Sequence, residues 1–340
     1  HRDFDDLWTG GWSIIHAGLF SLFGPSMALM RTVILLAWIA GLAALFAVVR
    51  PRVGRGLAGV AVVTAGLWTL WAWQFPLLNW FYFPGALGAG LAVRRHRDTG
   101  RARWLVVAGA SAGALFVLKL TGLFLLAALL LWALARAAAE ARKTPMPTGA
   151  RGDARWAALL PCALHAALSL RLASSMAGAE SAVVLIAGPN VVFAAGLAVT
   201  LWRGGPIPWQ PFLVAMLRVS AAVVLGFALP VLAFLLPYLA SHSVDAIWRG
   251  VFVTPLRRLT SVSYPPPWWR IAVKFSGPAL LLWLGAPRAR HQASRATAVG
   301  TIALGTLLGG SYALNPAARD YLLSLLATVP LVVALAWACA

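Results

Sequence analysis

Apolar runs of about 15 to 25 residues recur along the whole chain, with short polar segments between them. A run of that length is what a helix needs to cross a hydrocarbon core of about 30 Å. Candidate spans fall at roughly 25–49, 57–73, 75–93, 104–118, 120–135, 156–173, 181–201, 212–238, 271–286, 296–313 and 321–340. The pattern predicts an all-α polytopic membrane protein. It has about eleven transmembrane or partly spanning helices in a single domain over residues 1–340.

Composition agrees with the pattern. Of 340 residues, 61% are hydrophobic and only 11% charged, against roughly 25% charged in soluble domains. The 17 tryptophans suit interfacial belts. A net charge of +19 raises the question of nucleic acid. The arginines exclude that partner, because they sit in short clusters between apolar runs rather than in one basic domain. Arg50, Arg52 and Arg55 form one cluster, and Arg94, Arg95, Arg97, Arg101 and Arg103 the next. Arg136, Arg142, Lys143, Arg151 and Arg155 form a third, and Arg288, Arg290 and Arg295 a fourth. Basic loops face the cytoplasm, so 136–155 is read as a cytoplasmic linker, and 1–12 and 239–270 as outer-face loops. Cys162 and Cys339 lie far apart inside apolar runs and read as small buried residues. The chain starts at His1 rather than Met and stops within "LAWACA". It is therefore expected to be part of a longer protein.

One residue breaks the hydrophobic rhythm. In "ALFVLKLTGLFLL", Lys119 stands alone among neutral residues, where an ammonium is costly in lipid. A single helix from Trp104 to Leu134 would run about 46 Å and would leave a basic cluster on each side of the membrane. Two short helices turning at "LKLTG" keep both clusters on one side, with Gly122 free to break the helix. Lys119 then faces a cavity open to the outside. The competing reading is that Lys119 snorkels to outer headgroups.

Two outer segments carry candidate chemistry. Three of the nine acidic residues, Asp3, Asp5 and Asp6, fall within the first six positions. They read either as a solvated loop or as carboxylates able to act as a general base. Oxygen ligation of a divalent cation by the same acids is conceivable, but no metal site or cofactor is expected. The loop 239–270 holds Arg249, Arg257, Arg258 and Arg270 against a single acid, Asp245. That opposes the charge rule for an outer loop and suits either a phosphate ligand or anionic headgroups. Trp248, Tyr264, Trp268 and Trp269 suit the interface or a sugar face.

The order of these features resembles the GT-C membrane glycosyltransferases. "HRDFDDLWTGGWSIIHAGLFSLFGPSMALMR" is similar to their first outer loop and interfacial helix, with Leu22-Phe23-Gly24-Pro25-Ser26 and then Arg31 opening the next span. "AGASAGALFVLKLTGLFLL" looks like their Gly- and Lys-bearing segment, here Gly109, Gly113, Lys119 and Gly122. The resemblance covers most of residues 1–140 and, more loosely, 239–270, and it is nearest to the aminoarabinose-transferase and protein O-mannosyltransferase type. It implies a GT-C-like fold whose first transmembrane helix, with an acidic residue after it, precedes His1. It implies transfer of a sugar, on the outer face, from a polyprenyl-phosphate donor to a lipid, glycan or protein acceptor. Asp3, Asp5 and Asp6 then fall in the loop that supplies the catalytic acid. Lys119 with Arg257 and Arg258 would hold the donor phosphate, with His242 and Tyr264 as hydrogen-bonding candidates. A transporter or lipid flippase, and a glycan polymerase or ligase, are the alternatives. Against a transporter, no segment after 156 repeats "LKLTG".

Overall fold

The apolar runs fold as helices. The computed structural model describes residues 10–70, 81–119, 122–144, 153–174, 188–243, 245 and 248–253. The expected spans at 271–286, 296–313 and 321–340, and most of the loop 239–270, lie outside the described residues. The helices are α1 Gly11–Phe23, α2 Met27–Leu70, α3 Tyr82–Thr99, α4 Arg103–Leu118, α5 Gly122–Ala141, α6 Arg155–Ser174, α7 Gly188–Arg203 and α8 Trp209–Ala240. A single π-helical turn follows at Arg249–Val253. No strand occurs among the described residues, only an isolated bridge between Asp153 and Pro208. Among the described residues, three helical stretches are long and apolar enough to cross a bilayer: Met27–Pro51, Gly122–Ala141 and Trp209–Ala240. The protein is thus an all-helical membrane protein in its described part.

Element boundaries agree with the sequence pattern in one respect and differ from it in two. The expected spans 25–49 and 57–73 are the two halves of α2: they part at Gly54, whose φ of 82° and ψ of 172° are non-helical, and Gly66 lies back against Trp38 and Leu42 as in a hairpin. α3 runs on to Thr99 rather than ending at 93, and residues 75–80 of that expected span lie outside the described residues. α5 runs on to Ala141, so Arg136 lies within a helix and the linker starts at Arg142.

α4 is the centre of the packing, with α3, α5 and α8 around it. Its contact with α8 is backbone to backbone. A methyl added at Gly109 would overlap the carbonyl oxygen of Val223, one at Gly113 that of Phe227, and one at Gly226 that of Val106. The pairing 109 with 223 and 113 with 227 makes the two helices parallel. Small residues at such a crossing replace the hydrophobic driving force that lipid does not supply. Leu105, Ala108, Ala112 and Leu115 of α4 join Leu125, Leu129 and Val223 in the core around it. A second cluster joins α5, α6, α7 and α8 through Leu134, Ala138, Ala158, Leu201 and Phe212.

This packing sorts the chain into two ends. α3 and α5 run antiparallel to α4, so Tyr82 and Gly122 lie beside the last turn of α4. Trp12 of α1 packs edge-on against Phe81 at the same end. The opposite end gathers the described members of the first three basic clusters. There Arg94 donates to the Ala47 carbonyl (3.4 Å), joining α3 to α2. Arg142 Nη2 donates to the carbonyls of Leu201 (2.5 Å) and Gly205 (3.2 Å), capping α7, and Gly204 leaves room for its guanidinium. Asp153 accepts from the N–H groups of Arg155 (3.0 Å) and Ile207 (3.1 Å) and pairs with the Arg155 guanidinium. Arg155 in turn covers Trp202, its guanidinium 4.7 Å from the ring centre. The linker residues read from sequence as a diffuse positive cluster therefore include a staple between α5–α6 and α7–α8.

Candidate functional site

α4 stops at Leu118 and α5 starts at Gly122. Between them Lys119 takes an extended conformation, φ −160° and ψ 138°. Its backbone is fixed at three points. The N–H donates to Leu115 O at 2.9 Å, and the carbonyl accepts from Gly122 N–H at 2.9 Å and from the Tyr82 hydroxyl at 2.8 Å. Tyr82 also lies 3.1 Å from the Leu115 carbonyl, so one phenol spans two carbonyls at the end of α4. Gly122 is needed for the return, because a methyl there would strike the backbone of Phe116. Lys119 itself is half-buried.

α8 rises past this turn. From the level at which Gly113 meets Phe227, α4 continues only to Leu118, whereas α8 continues to Ala240. At 1.5 Å per residue the end of α8 stands about 12 Å beyond the turn. Lys119 is therefore recessed beside α8 rather than placed at the tip of the bundle.

The start of α1 closes on the same place. Gly11 abuts the Val117 carbonyl so closely that a side chain would overlap it. Gly10 has φ 88°, which an L side chain resists, and a Cβ there would lie 3.6 Å from the Phe234 ring and the Tyr238 hydroxyl. The pair of glycines in "TGGW" thus threads the chain between α4 and α8. Trp12 is buried, its ring 4.1 Å from that of His16 and 5.1 Å from that of Phe81. Lys119, Tyr82, Trp12, His16 and Tyr238 so belong to one end of the bundle.

His242 closes α8 through its backbone. The N–H of Ser243 donates to Tyr238 O (2.9 Å) and that of His242 to Leu239 O (3.2 Å), the paired bonds that close a helix through a left-handed residue. His242 is that residue, with φ 53°, and its side chain is exposed. Histidine tolerates this region better than most non-glycine residues. Its described contacts make it the cap of α8. Asp3, Asp5, Asp6, Arg257, Arg258 and Tyr264 lie outside the described residues.

Tyr82, Trp12 and His16 were not singled out from sequence. Tyr82 stands in "WFYFPG" and looks like any interfacial aromatic. Nothing local marks a hydroxyl whose partners lie 33 and 37 residues away.

In comparisons with protein-family models, curated proteins and solved structures, the chain matches none.

Proposed function

We propose that this protein is a membrane glycosyltransferase of the GT-C kind. It moves a sugar from a polyprenyl-phosphate donor to a lipid, glycan or protein acceptor at the membrane face where Lys119 lies, and that face is the outer one. Lys119 binds the donor phosphate and stabilises the charge that grows on it as the glycosidic bond breaks. A carboxylate from the segment that enters at Gly10 takes the proton of the attacking hydroxyl. Asp6 precedes Gly10 by four residues, a tether of at most about 14 Å. Arg257 and Arg258 add charge to the phosphate side.

One observation carries the reading: Lys119, at the turn between α4 and α5, has its backbone locked at three points, recessed beside α8 and next to the start of α1. A lysine whose backbone the fold fixes at such a place suits an anion ligand better than an interfacial anchor.

The test is Lys119→Met in the full protein, which keeps the stem and removes the charge. Affinity for a panel of polyprenyl-phosphate monosaccharides should fall about 10- to 150-fold, the equivalent of about 1.5–3 kcal/mol for a charge-assisted hydrogen bond. Insertion should hold or improve, since a central Lys disfavours it by about 2.5–3.5 kcal/mol. Unchanged affinity and transfer would remove Lys119 from the site and leave it as an interfacial anchor.

A further inference from the structure

Among the described residues, cations outnumber acids at the end of the bundle opposite Lys119. Residues 94–103 contain five arginines and one acid. The three carboxylates described at this end are each already engaged: Asp98 with Arg94 at 3.8 Å, Glu140 with Arg218, and Asp153 with Arg155. Arg95, Arg101 and Arg103 are exposed on the α3–α4 turn. Arg103 lies against the Trp104 ring, 5.3 Å from its centre, which holds a guanidinium at the edge of the apolar zone. Trp156, Trp202 and Trp209 are exposed at the same end, at the starts of α6 and α8 and the end of α7. Tryptophans at one level mark the border between hydrocarbon and headgroups.

We infer that the α3–α4 turn is a binding surface for anionic phospholipid headgroups, with Arg95, Arg101 and Arg103 as its phosphate contacts. Charge complementarity selects the ligand: planar guanidinium groups match phosphodiester oxygens, and the arginines stand where headgroups stand. The carboxylates cannot compete, because each is held elsewhere. The inference is independent of the glycosyltransferase reading, which concerns the other end.

The experiment uses the full chain in bilayers of phosphatidylcholine with phosphatidylglycerol, and compares the association of spin-labelled forms of the two lipids. The wild type should prefer phosphatidylglycerol about fivefold or more, the factor that one arginine supplies at a membrane surface. The triple variant R95Q/R101Q/R103Q should approach no preference. A control triple, R31Q/R171Q/R249Q, removes the same charge elsewhere and should keep it. Inorganic phosphate should compete no better than chloride at equal ionic strength. No preference in the wild type, or equal loss in both triples, would overturn the inference. Selective competition by phosphate would also overturn it, by making the turn a free-phosphate site.

Discussion

Replacing Gly109 by Ala tests the packing on which the Lys119 turn depends. A methyl at Gly109 falls inside the contact radius of the Val223 carbonyl oxygen, whereas a carbon and an oxygen meet at about 3.3 Å or more. The oxygen belongs to backbone, so no side chain can swing aside. α4 and α8 must part by about an ångström along a seam that also contains Gly113 over Phe227 O and Gly226 over Val106 O. Overpacking of this kind costs about 1–3 kcal/mol. Gly196 on α7 is the control: no described atom lies within 4 Å of a Cβ placed there. Ala is the better helix former by up to about 1 kcal/mol, so Gly196→Ala should be neutral or stabilising. Equilibrium unfolding in bicelles, followed by tryptophan fluorescence, reads both. The double variant G109A/G226A should lose less than the sum of its parts, because one separation of the helices relieves both overlaps. Wild-type stability for Gly109→Ala, or a loss at Gly196 as large as at Gly109, would refute the crossing described here.

Three further outcomes are expected. Tyr82→Phe keeps the ring and strips the hydroxyl from the carbonyls of Lys119 and Leu115. It should cost about 1 kcal/mol in thermal unfolding and weaken donor binding by a smaller factor than Lys119→Met; donor binding equal to wild type would detach Tyr82 from the site. Burial is the largest single influence on Asp153 and opposes its charge, but hydrogen bonds from Arg155 and Ile207 with the Arg155 charge together outweigh it and hold the carboxyl below its ordinary range. A depressed pKa stabilises the fold above the unfolded-state value of about 3.9 and loses that stability as pH falls through the folded one. Stability of the wild type should therefore drop below about pH 4 by about 1 kcal/mol or less at this partly exposed pair, and Asp153→Asn should flatten that dependence. Neutralising Asp3, Asp5 and Asp6 together should abolish transfer without loss of folding, and R257A/R258A should weaken donor binding; full transfer in the triple acid variant would remove the segment from the mechanism.

The helices themselves were legible where an apolar run is bounded by charge or proline. The expected 104–118, 156–173 and 212–238 correspond to α4, α6 and α8 within a few residues. Run length fixes such elements because the bilayer fixes it. What the sequence hid is contact at a distance. Gly109 and Gly113 can be seen as a close-packing pair, but not that α8 is the partner. Arg142 looks like one more basic-loop residue until Leu201 and Gly205 are found against it. The backbone role of His242 was hidden too, because a left-handed cap without glycine leaves no mark in "ASHSV". At the candidate site the turn at Lys119 was readable from charge parity, since basic clusters on both sides of 104–135 require an even number of crossings. The phenol that fixes the turn was not.

The form of that turn bears on why Lys119 is there. Snorkelling needs only a flexible stem on a helix that continues to the interface. Here the helix stops instead, and the turn recruits a distant phenol to hold the Lys119 carbonyl while α8 rises about 12 Å past it. An anchor gains nothing from a recess, because its function is to reach water. A phosphate ligand gains from one, since a lower dielectric strengthens its pairing with the ammonium and a fixed backbone removes the cost of ordering it on binding. The opposite end follows the other logic: its exposed arginines lie on an open turn at headgroup level. Lys119 is thus presented recessed at a locked turn, whereas Arg95, Arg101 and Arg103 are exposed on an open one. That difference favours a specific anion at Lys119 and a lipid surface at the α3–α4 turn.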